Sequence, residues 1–270
     1  MDFALNQEQL ALIETAKRFT KERITPIASE CDRNGELPRN VFHEAWSLGL
    51  VSPTIPQAYG GLGISALESA LLQEELAYGC SGIQTSLAAN GLAAAPLKLA
   101  GSETQKKKYL GMLTADPVMA SYATTEPGAG SDVAGLRTLA TQHGNEWVLH
   151  GQKCFITNAS WANWFVIFAT TDPQARHKGI AAFIVDRDSP GLSIGKKEDK
   201  MGQRASDTAS IILEEVKVPQ DNLLAPPGEG FKLAMRTFDI TRPDIGAAAC
   251  GIMRRALDES IAYAQERVSF

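Results

Sequence analysis

The feature that most constrains this chain is a double change of period. Up to about residue 117, apolar residues recur at helical spacing. From 118 to 226 the spacing switches to short apolar runs cut by Gly, Pro and Asp, the mark of strands and turns. After Gly228-Glu229-Gly230 the helical period returns. No long helical pattern separates the strands, so a parallel βαβ sheet is disfavoured and an antiparallel barrel or sandwich is expected. The fold class is therefore α+β. It comprises an N-terminal all-α domain over 1–117, an antiparallel β-barrel or sandwich middle domain over 118–226, and the start of a C-terminal helical bundle over 227–270.

Local signals support these segments. Asn6 with Gln9, Ser65 with Glu68, and Ser102 with Gln105 have the spacing of capping boxes. Pro38 suits a first helical turn and Gly49 a helix stop. Tyr59-Gly60-Gly61-Leu62-Gly63 reads as a tight turn, and Ala88 to Ala95 as a small-residue helix face. Strands are predicted at Glu146 to His150, Trp164 to Thr170, Ile180 to Val185 and Ser210 to Leu213. Phe231, Ala234, Met235 and Phe238 share the face of one late helix. A second helix is predicted from about Pro243, with Ile252, Ala256, Leu257, Ile261 and Tyr263. That helix reaches Phe270 without a stop signal, as a shortened chain would.

Composition narrows the function classes. The 270 residues are 44% hydrophobic and 21% charged, with a formal charge of −5. This argues against a nucleic-acid partner, which needs a concentrated positive field. No apolar run is long enough for a membrane span, and the start has neither a secretory nor a transit pattern. A cytoplasmic bacterial protein is expected, or a mitochondrial matrix one if this is a mature eukaryotic form. Cys31, Cys80, Cys154 and Cys250 have no metal or redox spacing, so buried reduced thiols are expected. The four histidines are scattered, and no metal site is expected.

The most unusual segment runs from Tyr122 to Gly135, YATTEPGAGSDVAG. A dinucleotide fingerprint fails, because Val133 stands where the third glycine belongs and no βαβ unit follows. A nucleophile elbow fails too, because Ser131 lacks flanking glycines. What remains is a loop with glycine-exposed backbone N–H groups and hydroxyls from Thr124, Thr125 and Ser131. Such a loop can bind an anion or a heteroaromatic edge, and a turn-rich β connection is the plainer reading.

This segment resembles the acyl-CoA dehydrogenase signature. Further family motifs follow in order: Tyr59-Gly60-Gly61, Gly151-Gln152-Lys153-Cys154-Phe155-Ile156-Thr157-Asn158, Met201-Gly202-Gln203-Arg204 and Asp239-Ile240-Thr241-Arg242-Pro243. The likeness spans almost the whole chain and is strongest to the medium-chain straight-acyl type. Thr124 departs from the signature, which usually has an aliphatic residue there, and Phe155 stands where Trp is commoner.

The resemblance implies an FAD enzyme that removes an α-proton and a β-hydride from an acyl-CoA thioester. It implies electron-transfer flavoprotein as acceptor and a homo-oligomer, dimer or tetramer. By resemblance Tyr122, Thr124, Thr125, Gly130 and Ser131 line the flavin and its pyrophosphate. Phe155 and Ile156 lie at the isoalloxazine, and Thr157 points toward its N5. Ser131, Asp239 and Arg242 touch the acyl-CoA, while Arg267, Ser269 and Phe270 reach the FAD of a neighbouring subunit. Read without the family, Phe155 is a core residue, Asp239 and Arg242 a surface ion pair, and Phe270 part of an unfinished apolar stripe.

The catalytic base is not among these residues. The straight-chain members carry a Glu on a late helix, so the base is expected beyond Phe270. The other family position falls on Thr241, which cannot act as a carboxylate. Three readings stay open: part of an acyl-CoA dehydrogenase, a shortened non-catalytic flavin or acyl-CoA binder, and a related flavin oxidase.

Overall fold

The computed structural model describes residues 4–270. Helices α1 (Gln7–Phe19), α2 (Ala28–Asn34), α3 (Arg39–Ser47), α4 (Ala66–Gly79) and α5 (Ser81–Ala100) come first, followed by the short α6 (Glu103–Gln105) and α7 (Gly111–Ala115). All three capping boxes form. The Asn6, Ser65 and Ser102 side chains accept from the third helical N–H, and Gln9, Glu68 and Gln105 accept from the cap N–H in return. Two orphan donors at each helix start are thus satisfied. Gln105 also donates to the carbonyls of Asp221 (2.8 Å) and Leu223 (3.0 Å), tying the helices to the β region. Gly49 ends α3 at a φ of 73°.

The strands are β1 (Met119–Ala123), β2 (Leu139–His143), β3 (Glu146–Thr157), β4 (Ala162–Thr170), β5 (Ile180–Asp186), β6 (Leu192–Lys197), β7 (Thr208–Pro219) and β8 (Leu223–Ala225). Their order is β6-β7-β3-β2-β4-β5-β8, with β1 added on β4. The pairing is mostly antiparallel as expected, with two differences on β4: β1 runs parallel to it over five residue pairs, and β2 meets it in parallel at Leu139 and Thr170. The chain can make the β1–β4 parallel pair because the connection between these strands contains the signature loop and the β2–β3 hairpin, which together carry it back to the start of β4.

The sheet folds over on itself, so Trp147, Leu149 and Ile211 of one part share a core with Phe165, Ile167 and Phe183 of the other. The Trp147 and Phe183 rings meet at 5.4 Å. Alternate residues of β4 and β5 face away from this core. Trp164, Val166, Phe168, Ala182 and Ile184 pack under the helices with Leu97, Tyr109 and Leu233. Both faces of β4 and β5 are therefore buried, which explains their unbroken apolar runs. A third cluster, including Phe19, Phe42, Leu72 and Leu87, holds the first helices together.

The late helices are one helix. α8 (Gly230–Glu266) runs 37 residues through Pro243, where two were expected. Proline removes one N–H and crowds the carbonyl four residues back, so it reads as a break. Here α8 lies along α4, and that packing outweighs the lost bond. Gly251 allows the contact, since a Cβ there would sit 2.1 Å from the Glu74 carbonyl oxygen. Arg254 then reaches Glu74 (2.8 Å) and Glu75 (2.7 Å), and Tyr78 donates to Asp258 (2.9 Å).

Beyond Gly251 the apolar residues of α8 lie open: Ile252, Met253, Leu257, Ile261 and Tyr263 are all exposed. The cysteine reading is corrected in part. Cys31 and Cys154 are buried, but Cys80 is half-buried and Cys250 exposed. Among the described residues no helix is long and apolar enough to cross a membrane.

Candidate functional site

The residues after β1 fold back on themselves. Glu126 N–H donates to the Ala129 carbonyl (3.0 Å), and Ala129 N–H to that of Glu126 (3.1 Å), closing a turn over Pro127-Gly128. A buried ion pair fixes this turn from behind. Lys153 Nζ, wholly buried, lies 2.6 Å from the Glu126 carboxylate and donates to the Thr124 carbonyl at 3.1 Å. The same carboxylate accepts from the backbone N–H groups of Arg137 (2.6 Å) and Thr138 (2.9 Å). Burial works to raise the Glu126 pKa, but the ammonium and these donors outweigh it and hold the group below its usual range. One carboxylate thus joins the signature loop, β3 and the entry to β2.

β3 breaks register against β7 between Lys153 and Ile156. The freed Cys154 N–H donates to the Thr125 carbonyl (2.9 Å), so the loop completes the pairing that β7 gives up. This bulge re-aims the next side chain. Phe155 adopts a φ of 57° and stands 63% exposed. Asn158, with a φ of 58°, ends the strand. Its side chain donates to the Ser86 carbonyl of α5 (2.8 Å), and its backbone N–H to the Asp207 carbonyl (2.8 Å). Thr157 is therefore anchored between the sheet and α5.

These ties build the wall of a cavity of about 560 Å³. Tyr122, Thr124, Thr125, Gly130, Ser131, Phe155, Ile156 and Thr157 all line it, as does Arg242 from α8. A second cavity, of about 410 Å³, lies between α4, α5 and α8. The two share Ala89, Leu92, Thr157, Phe238 and Arg242. The second is mainly aliphatic, with Leu50, Ile64, Leu87 and Ile245 in its walls, and the small residues Ala88, Gly91 and Ala95 of α5 leave its space open.

The first cavity fits a flavin in three respects. The Tyr122 and Thr124 hydroxyls are buried next to each other without a well-formed hydrogen bond, and burial pushes the Tyr122 phenol well up. Buried polar atoms left without partners suit a polar heteroaromatic ligand. A Cβ at Gly130 would meet no protein atom, so the loop keeps a cradle that the fold itself does not require. The exposed Phe155 ring, held in a left-handed conformation, offers an apolar face at the rim.

The remaining expected residues are placed differently. Asp239 lines neither cavity and meets Arg242 at 3.4 Å on the exposed helix face, the surface ion pair of the plainer reading. Arg242 makes that pair and also reaches both cavities. Arg267, Ser269 and Phe270 are exposed and line neither cavity; Arg267 donates to the Tyr263 hydroxyl (3.2 Å).

Sequence reasoning gave no role to Lys153, Asn158 or Asp244. Lys153 and Asn158 stand in the Gly151 to Asn158 motif, and a lysine between strand residues was a further signal for the first. Asp244 lines the second cavity, and Ser69 Oγ donates to it at 3.0 Å. It is the sole carboxylate lining either cavity among the described residues.

Comparison with known proteins shows the family. The family models for the acyl-CoA dehydrogenase N-terminal, middle and C-terminal domains match residues 6–116, 121–216 and 228–270. The chain is 48% identical over 273 residues to the probable medium-chain specific acyl-CoA dehydrogenase 2, mitochondrial, of Caenorhabditis briggsae, covering 100% of this chain and 67% of that protein. It superposes on butyryl-CoA dehydrogenase from Megasphaera elsdenii with a TM-score of 0.96 at 37% identity, covering 100% of this chain and 72% of the other. It also matches a glutaryl-CoA dehydrogenase from Mycobacterium smegmatis in complex with FADH2, with a TM-score of 0.91 at 31% identity, covering 98% and 67%. On all three family models and on these relatives, the chain belongs to the acyl-CoA dehydrogenase family.

Proposed function

We propose that this chain forms the flavin and acyl-chain sites of an FAD-dependent acyl-CoA dehydrogenase. The observation that carries this is the shared wall. A ring in the larger cavity and a chain in the smaller would meet at Thr157, Phe238 and Arg242. Tyr122, Thr124, Thr125, Gly130, Ser131, Phe155, Ile156 and Thr157 would hold the FAD. Bound there, the flavin supplies the hydride acceptor.

The chain's own residues bind and orient. Leu87, Leu92 and Phe238 exclude water from the acyl chain. Arg242 places a positive charge at the junction, where a thioester and any base acting on it would lie. Ser131 and Asp239 stand on the outward side and are proposed to meet the CoA portion. Arg267, Ser269 and Phe270, exposed at the end of α8, are proposed to serve a neighbouring subunit's flavin in a homo-oligomer. Electron-transfer flavoprotein is the proposed acceptor, as the family resemblance implies.

α-Proton removal needs a carboxylate within hydrogen-bond reach. Thr241 cannot serve, and Asp244 lines only the smaller cavity and is no part of the wall at which the thioester and flavin would meet. We assign the base to a residue outside these 270. The test is anaerobic mixing of FAD-loaded protein with acyl-CoAs from butyryl to dodecanoyl. The flavin spectrum is expected to shift on binding, with bleaching about two to four orders of magnitude slower than in a dehydrogenase that has its base. Bleaching at a full rate would place the base within these residues, and no spectral change with any acyl-CoA would overturn the reading.

A further inference from the structure

The smaller cavity is aliphatic in much of its wall, yet besides Arg242 at the wall it shares with the larger cavity, two opposite charges line it. Lys98 enters from the last turn of α5 and Asp244 from α8, and both are only partly exposed. They lie near enough to feel each other's charge but make no ion pair. Lys98 Nζ donates to the Thr54 carbonyl (3.3 Å) and hydroxyl (2.9 Å), which engages two of its three protons. One Asp244 oxygen, Oδ2, accepts from Ser69, and the other has no hydrogen bond. Apart from Arg242 and uncharged polar side chains such as Gln73, Gln84 and Thr85, the cavity therefore has one ammonium and one carboxylate with hydrogen-bonding capacity to spare, in a wall that also holds Leu50, Ile64, Leu87 and Ile245. Burial pulls the lysine down and pushes the aspartate up, so both charges lack part of the solvation they would have in water.

From this juxtaposition we infer that the acyl site accepts chains carrying a neutral group that both donates and accepts, such as a hydroxyl or carboxamide, between Lys98 and Asp244. This deepens the acyl-CoA reading and rests on it. A carboxylate on the chain would meet Lys98 favourably but Asp244 unfavourably, and an ammonium the reverse. A hydroxyl satisfies both, giving its proton to Asp244 and its lone pair to Lys98. A plain alkyl chain leaves both charges unpaired while removing their water. A site built to hydrogen-bond a substrate group discriminates against the analogue without it for that reason.

The test is equilibrium binding of matched pairs, plain and ω-hydroxy, from hexanoyl- to decanoyl-CoA, to the FAD-loaded protein, read by calorimetry. At one chain length the hydroxylated member is expected to bind about tenfold or more tightly than its plain partner. That ratio is expected to fall toward one in Asp244→Leu and in Lys98→Met, and the ω-carboxy compound to gain in Asp244→Asn. Should a leucine variant fail to fold, the wild-type ratio and Asp244→Asn still decide. Plain chains binding as tightly as hydroxylated ones at every length would overturn the inference and leave the acyl-CoA reading standing. If no acyl-CoA binds, both fall.

Discussion

The two cavities share a wall but are built by different physics. The larger is shaped by buried polar ties: Glu126 with Lys153 and two backbone N–H groups, Cys154 with Thr125, and Asn158 with α5. The smaller is shaped by helix packing, with α8 held along α4 by Gly251 and Arg254. The first should fail when one atom pair is removed, and the second when helix separation changes.

The largest expected effect is on the polar side. Lys153→Met leaves the Glu126 carboxylate buried without its cation. Breaking a buried pair this way costs about 3–5 kcal/mol, to be measured by urea denaturation. Replacing both residues, in Glu126→Gln with Lys153→Met, should cost less than the sum of the single changes. Additive losses would show that the pair does not act as a unit.

On the packing side, Gly251→Ala sets a methyl against the Glu74 carbonyl. Overpacking of this kind costs about 1–3 kcal/mol. By prising α8 from α4 it should also weaken acyl-CoA binding more than FAD binding. Equal losses of both ligands would mean that the cavities are not independently built.

The polar side alone should respond to acid in a specific way. Glu126 has its folded-state pKa lowered, so its contribution is fully present above the unfolded carboxylate value of about 4.3 and is lost as pH falls through the folded value. Stability is therefore expected to drop through this acid range, and Glu126→Gln should flatten part of that slope. Identical slopes in the two proteins would remove the pair from the account.

The smallest effect on stability is expected at Phe155. Its ring is exposed, so Phe155→Ala should change stability by no more than about 0.5 kcal/mol. FAD affinity should nonetheless fall, as read by fluorescence titration. Unchanged affinity would return Phe155 to a surface residue with no role at the ring.

The same contrast explains what the sequence could show. The three capping boxes involve residues three apart and were legible, as was the signature loop that lines the larger cavity. β4 and β5 were legible from their apolar runs. The single helix through Pro243 was not, because its continuity depends on α4, about 170 residues earlier in the chain. The parallel placement of β1 on β4 has no local signal either. Asp244 was missed for a related reason: on its own helix it is one charged residue after a proline. Only the meeting of α4, α5 and α8 gives it Ser69 as a partner and puts Lys98 within reach of its field.

The most direct test of the central claim is a crystal structure of the protein with FAD and a non-reactive acyl-CoA thioether. The isoalloxazine is expected between Thr125, Phe155 and Thr157, and the acyl chain between α4, α5 and α8, with the sulfur at Thr157 and Arg242. An isoalloxazine outside the larger cavity, or an acyl chain running anywhere but into the smaller one, would contradict it.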